Sequence, residues 1–233
     1  REAPAAAAPG PPRAPRNAAH AAAAPPAPGG APASGKTRFR DLGLPEELLR
    51  AVADLKFAAC TPVQALALPP ALAGKDIAGR AQTGTGKTAA FLITLFTRFL
   101  RHPPGGALPN GTPRGLILAP TRELAIQIHK DAVALARHTP LRVAVVYGGM
   151  DYGKQQAELA RNQVDLVVAT PGRLLDFKSK HVLTLSRVEA LVIDEADRML
   201  DMGFIPDVRR IVYSLPPKHK RQTMLFSATL DEA

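Results

Sequence analysis

A single cysteine, Cys60, leaves the chain unable to form an intrachain disulfide or a cysteine-rich zinc site. A reducing compartment is compatible with that. No uninterrupted apolar run approaches the roughly 18 residues of a membrane-spanning helix, so a chain with no membrane partner is expected. Acid is also short. Against 30 Lys and Arg there are 20 Asp and Glu, and the resulting formal charge of +10 points to polyanionic partners, nucleic acid first. Of the 233 residues, 46% are hydrophobic, which supports a folded core over part of the length.

That core is not in residues 1–36. This segment holds 15 alanines and nine prolines with almost no large apolar residue. It cannot bury enough surface to offset chain entropy and is expected to be a disordered, basic, Ala/Pro-rich tail. A cleaved targeting segment is the competing reading, but the prolines oppose an amphipathic transit helix and no leucine-rich stretch is present. Residues 37–233 are expected to form one folded domain.

The most informative stretch there is Ala-Gln-Thr-Gly-Thr-Gly-Lys-Thr at 81–88. Asp76-Ile77-Ala78-Gly79, read as a short buried strand, precedes it, and helical spacing of apolar residues over 89–96 follows. Strand, glycine turn and helix make up the context of a phosphate-gripping loop. Gly84 and Gly86 allow the backbone to turn so that successive N–H groups, Thr85 included, converge on an anion at a helix N-terminus. Lys87 would reach the β- and γ-phosphates and the Thr88 hydroxyl would ligate Mg²⁺. Ala81 departs from the general pattern, which has glycine there.

Helix signals open the domain at 45–55 and again at Thr61-Pro62. A Pro/Gly-rich surface loop is expected at 102–114, and strands at 115–119, 143–147, 164–169, 190–194 and 223–226, with helices between, one over about 152–161. Continuous Val/Ile/Leu runs separated by helices predict an α/β fold: a mostly parallel sheet with helices on both faces. Ligands of such sheets sit beyond the carboxyl ends of the strands. One strand runs directly into Asp194-Glu195-Ala196-Asp197. Asp194 is then placed to hold Mg²⁺ through water, and Glu195 to accept a proton from the water attacking the γ-phosphate. The residues alone also allow an acidic helix N-terminus stabilised by its dipole.

Asp-Glu-Ala-Asp resembles the name-giving motif of the DEAD-box RNA helicases, and further blocks match in that family's order. Phe57 with Cys60-Thr61-Pro62-Val63-Gln64 resembles the Q motif, residues 81–88 motif I, and Pro120-Thr121-Arg122-Glu123-Leu124-Ala125 motif Ia. Gly148-Gly149, Thr170-Pro171-Gly172-Arg173 and Ser227-Ala228-Thr229 resemble the GG element, motif Ib and motif III. The wording around Cys60 is similar to a bacterial branch of the family. Ala81 is ordinary within it.

The resemblance implies a RecA-like P-loop domain that uses ATP and Mg²⁺. Gln64 would hydrogen-bond the adenine edge and Phe57 stack on its face. Thr121, Arg122, Gly149, Thr170 and Arg173 would line a path for single-stranded RNA by phosphate and ribose contacts. Asp197, Ser227 and Thr229 would couple nucleotide state to RNA grip, with Ser227 and Thr229 bonded to Asp197. Cys60 is assigned to packing and Arg198, Met202 and Phe204 to structural roles, while Phe39 is open between packing and support of the adenine pocket. A second RecA-like domain carrying arginine fingers would be needed for full activity, so this chain alone is expected to be a nearly inactive, monomeric ATP-binding half. The resemblance further implies a cytoplasmic RNA-dependent ATPase that unwinds RNA duplexes, with RNA-degradation or ribosome-assembly proteins as partners. A DNA helicase of a neighbouring branch and a nonenzymatic RNA-binding scaffold are the rival readings; Gln64 argues against the first and the intact Lys87, Thr88, Asp194 and Glu195 against the second.

Overall fold

The computed structural model describes residues 37–229; the expected tail over 1–36 and residues 230–233 lie outside the described residues. Two helices, α1 (Glu46–Asp54) and α2 (Pro62–Leu72), precede the first strand, β1 (Ile77–Arg80). There follow α3 (Lys87–Arg101), β2 (Gly115–Leu118), α4 (Arg122–Ala136), β3 (Val143–Val146), α5 (Tyr152–Arg161) and β4 (Leu166–Ala169). The last elements are α6 (Pro171–Ser179), β5 (Ala190–Ile193), α7 (Ala196–Asp201), α8 (Ile205–Tyr213) and β6 (Gln222–Ser227).

The strands form one sheet in the order β1-β6-β5-β2-β4-β3, and every pairing is parallel. Alternating side chains divide between two cores, as the period of two in a strand requires. Ile117, Val168, Val192 and Phe226 point to one face, where Leu48, Leu68, Phe91, Phe96 and Ile128 of α1 to α4 cover them. Leu116, Leu118, Val167 and Leu191 point to the other, under Leu159, Leu174, Phe177, Met199 and Ile211 of α5 to α8. Each fully buried side chain of this size contributes about 1.5–3 kcal/mol, so the two layers hold the sheet rigid and leave function to its ends. Among the described residues no helix is long and apolar enough to cross a membrane.

The strand order separates two sets of loops. The P-loop follows β1, the Asp-Glu-Ala-Asp turn follows β5, and Ser227-Ala228-Thr229 closes β6, which lies between those two strands. The loops after β2, β3 and β4 stand beyond the other half of the sheet. At the opposite pole, Arg114 is buried beside the start of β2, donating to the Phe99 carbonyl and to Glu189 Oε1 at 2.6 Å. It ties the end of the irregular 102–114 segment to α3 and to the approach of β5, so that residues 111–114 are buried and only the earlier part of the segment is the surface loop expected.

Candidate active site

Thr61 and Gln64 begin the site by capping α2. The Gln64 N–H donates to Thr61 Oγ1 (3.3 Å) and the Thr61 N–H donates to Gln64 Oε1 (2.9 Å), with Pro62 in the first turn. Two orphan donors of the helix start are thereby satisfied. The same side chains reach the P-loop: the Thr61 hydroxyl donates to the Thr85 carbonyl (2.8 Å) and Gln64 Nε2 donates to the Gly86 carbonyl (3.0 Å). Gln64 is only 4% exposed, and its amide keeps one N–H and one lone pair free for a further partner. Thr61 was not singled out from the sequence, although the Thr-x-x-Gln capping spacing marks it.

Gly84 (φ +83°) and Gly86 (φ +90°) adopt the left-handed conformation that the turn requires. A Cβ on Gly86 would also stand 2.6 Å from Gln64 Nε2, so space as well as backbone excludes a side chain there. The Thr85 hydroxyl donates to the Gln82 carbonyl at 2.7 Å and closes the loop. α3 then starts at Lys87, and its first-turn N–H groups and positive dipole end form an anion cradle. A cavity of about 1040 Å³ opens above this loop; Phe57, Gln64, Gly84, Gly86, Lys87, Thr88 and Glu195 are among its lining residues. Phe57 is 38% exposed on the cavity rim. Phe39 is buried in the core and lies behind the Phe57 ring, the ring centroids being 6.1 Å apart.

β5 ends at Ile193, one residue earlier than expected; the Asp194 N–H still donates to the Leu118 carbonyl of β2 (3.0 Å), and the chain turns toward the P-loop at Glu195. Asp194 is fully buried. Its Oδ1 accepts from Lys87 Nζ at 2.9 Å and from the Glu195 N–H at 3.0 Å. Its Oδ2 is buried without a partner among the described residues. Burial pushes the Asp194 carboxyl above its ordinary range, with the Lys87 ammonium holding it back. Glu195 occupies a left-handed backbone conformation (φ 52°, ψ 53°), which costs a non-glycine residue about 1–2 kcal/mol. That turn aims its carboxylate at the loop: Thr83 donates to Oε1 (3.1 Å), Lys87 Nζ lies 3.8 Å away, and Arg198 Nη1 is 3.4 Å from Oε2. Arg198, assigned a structural role from the sequence, therefore touches the acid turn, as does Thr83.

Among the described residues no group of three or more His, Cys, Asp or Glu side chains is gathered to cage a metal. One buried carboxylate with an unsatisfied oxygen, bonded to the lysine that opens α3, fits instead a cation that keeps much of its water shell.

Behind this centre, Asp197 Oδ2 accepts from the Ala228 N–H (3.1 Å) and the Thr229 hydroxyl (3.4 Å). The Ser227 hydroxyl instead exchanges bonds with the Thr229 backbone, so the direct link expected from Ser227 is made mainly by the Ala228 peptide. Burial opposes the charge of Asp197, but bonds from the Arg198 and Ala228 N–H groups and the nearby Ser227 hydroxyl outweigh it and lower its pKa. On the far side, Arg80 Nε donates to the Ala228 carbonyl (3.2 Å). The Ala228 peptide is thus held from both ends.

Over the other half of the sheet, the residues expected on an RNA path come together at the ends of β2, β3 and β4. Thr121 caps α4, its Oγ1 accepting the Leu124 N–H at 3.2 Å, and Thr170 stands at the N-terminus of α6. Arg122 Nη1 lies 3.3 Å from where a Cβ of Gly149 would be, and Arg173 Nη1 is 3.5 Å from the Met150 carbonyl. Gln155, fully buried, accepts from the Tyr147 N–H and donates to its carbonyl, which fixes the start of the glycine turn. A polar residue inside an exposed-looking helix was the only signal for it. Cys60 is buried and burial raises its thiol pKa, in keeping with packing.

The sequence profile of the DEAD/DEAH box helicases matches residues 61–233. The chain belongs to that family. Among its relatives, the ATP-dependent RNA helicase RhlB of Pseudomonas putida is 55% identical over 201 residues, which cover 86% of this chain and 50% of that protein. The protein of the same name from Shewanella baltica is 52% identical over 194 residues, 83% of this chain and 44% of the relative. That from Xanthomonas oryzae pv. oryzae is 52% identical over 193 residues, 82% of this chain and 33% of the relative. This DEAD/DEAH box helicase chain therefore spans about half or less of the length of the curated relatives it matches.

Proposed function

We propose that the chain is the ATP-gripping domain of an ATP-dependent RNA helicase of the RhlB kind. The observation that carries the reading is the layout of the sheet: Lys87, Asp194 and Glu195 meet beyond β1 and β5, Asp197 and Ala228 bridge them at β6, and the threonines, arginines and glycine suited to phosphate and ribose lie beyond β2, β3 and β4. In this reading the P-loop N–H groups and Lys87 bind the nucleotide phosphates, Phe57 stacks on the adenine, and the remaining N–H and lone pair of Gln64 read its edge. Thr88 and, through water, Asp194 hold Mg²⁺, which would supply charge neutralisation at the phosphates. Glu195, held by Thr83 and Arg198, takes the proton of the attacking water. Thr121, Arg122, Gly149, Thr170 and Arg173 grip a single strand by its backbone, and Asp197 with Ser227 and Thr229 links the two halves.

Bending of the RNA and full hydrolysis belong to the whole protein, with a second RecA-like domain completing both sites. A cytoplasmic, monomeric chain working with RNA-degradation or ribosome-assembly proteins is the accompanying expectation. The test is ATP hydrolysis by the full-length protein with RNA, with DNA of the same sequence, and with neither. RNA should raise turnover many-fold over DNA, and Glu195→Gln should abolish the rise while leaving ATP bound. Equal stimulation by DNA would overturn the RNA reading, and an unaffected Glu195→Gln variant would overturn the catalytic one.

A further inference from the structure

We infer that Tyr152 is a positioning residue for Arg173: its ring, together with Phe177, forms an aromatic shelf that aims the guanidinium at the RNA backbone. The inference rests on the reading of Arg173 as an RNA contact. β3 and β4 are adjacent and parallel, so the helices that follow them, α5 and α6, begin side by side. Tyr152 is the first residue of α5 and Arg173 lies in the first turn of α6. Phe177, one turn beyond Arg173 on the same helix face, meets the Tyr152 ring edge-on, with centroids 4.7 Å apart and planes at 79°. The Arg173 Cζ sits 5.5 Å from the Tyr152 centroid and 5.7 Å from that of Phe177.

The charges around this shelf divide unequally. Lys180 Nζ lies 4.4 Å from the Tyr152 centroid, but Asp176 Oδ1 is 2.9 Å from it and meets its charge. Arg173 has no carboxylate partner among the described residues; its one hydrogen bond there, to the Met150 carbonyl, is long at 3.5 Å. A carboxylate would fix the guanidinium but neutralise it. An aromatic face fixes it by cation–π attraction and leaves the charge and the in-plane N–H donors free for a phosphate. The Tyr152 hydroxyl is buried with no well-formed hydrogen bond among the described residues, and Arg173 lies against the ring, so the ring and not the hydroxyl does the positioning.

The test is single-stranded RNA binding by the full-length protein in the presence of a non-hydrolysable ATP analogue, across a salt series. Arg173→Gln should weaken binding about tenfold and lower the slope of log affinity against log salt by roughly 0.7, the share of one phosphate contact on a single strand. Tyr152→Leu should weaken binding about threefold to tenfold, the scale of a cation–π contact. Tyr152→Phe should restore the unmodified affinity and raise the melting temperature slightly, since it removes an unpartnered buried hydroxyl. The double variant should bind like Arg173→Gln alone. Nucleotide affinity without RNA should be unchanged throughout, and Tyr152→Met provides a second ring-free variant should the leucine variant fail to fold. If Arg173→Gln weakens binding while both ring-free variants bind normally, or if the double variant multiplies the two losses, the shelf is overturned and the RNA reading stands. If Arg173→Gln binds normally, the reading of Arg173 falls and the shelf with it.

Discussion

Gly86 and Lys87 are neighbours with opposite demands. Gly86 must have no side chain, because its φ is +90° and a Cβ would meet Gln64 Nε2 at 2.6 Å. Gly86→Ala should therefore lower stability by about 1–3 kcal/mol and weaken ATP binding, read from denaturant midpoints and nucleotide titration. Lys87 must have its charge, because it is the cation facing a fully buried carboxylate at 2.9 Å. In Lys87→Met the folded-state pKa of Asp194, already raised by burial, rises further above its unfolded value near 3.9. A carboxyl raised in the folded state contributes stability below its unfolded pKa and loses it as pH rises through the folded pKa. The variant should thus match the unmodified chain most closely below about pH 4 and be less stable by about 3 kcal/mol at neutral pH. Asp194→Asn in the same chain should recover most of the loss, and urea midpoints across pH check both expectations. At this scale the sequence marked Lys87, Asp194 and Glu195, which the structure brings together, but not all that they touch. The Thr-x-x-Gln spacing marked a helix cap, whereas its second use, holding the Thr85 and Gly86 carbonyls, depends on a contact across more than 20 positions. The left-handed turn at Glu195 was not legible either, since no glycine or asparagine signals it.

Helices α1 and α4 are joined at their C-terminal ends, where Asp54 Oδ2 meets His138 Nε2 at 2.7 Å and Arg137 Nη1 at 3.3 Å. Hydrogen bonds from His138 first and Arg137 second lower the Asp54 pKa. A carboxyl lowered in the folded state contributes stability above its unfolded pKa and loses it as pH falls through the folded one. Asp54→Asn should then cost a little stability at pH 7 and nothing at pH 2, so that the variant's acid limb is flatter; thermal unfolding at both pH values tests this. Element boundaries were legible where an element ends on its own chemistry. The helix over 152–161 ends as expected, its start marked by Asp151, whose side chain accepts the Lys154 N–H. Strand ends were less legible, because a strand stops where its neighbours stop pairing. β4 starts at Leu166 and not at 164 because its register runs against Gly115 and Val143, and β6 gains Gln222 and Ser227 from its two partners, β5 and β1.

The parallel α/β architecture was legible because fully apolar runs alternate with helical spacing, but the strand order was not, since nothing local tells β6 to insert between β1 and β5. That insertion matters most for function: it sets the Ala228 peptide between the acid turn and the P-loop strand, bonded to Asp197 on one side and Arg80 on the other. In the function proposed above, this bridged peptide would be one part of what couples the nucleotide site to the half of the sheet that carries Arg122 and Arg173. Coupling of this kind is a free energy and acts equally in both directions. Thr229→Ala, which removes the hydroxyl bond to Asp197 at 3.4 Å, should in the full-length protein reduce the factor by which RNA tightens ATP binding by about threefold to tenfold, a coupling change of roughly 1 kcal/mol. The factor by which ATP tightens RNA binding should fall by the same amount, while the affinity of each ligand alone stays within about twofold. Titrations of each ligand with and without the other measure all four affinities. Coupling factors that remain at their unmodified values would detach the β6 turn from communication between the two halves and leave it a structural closure of the sheet.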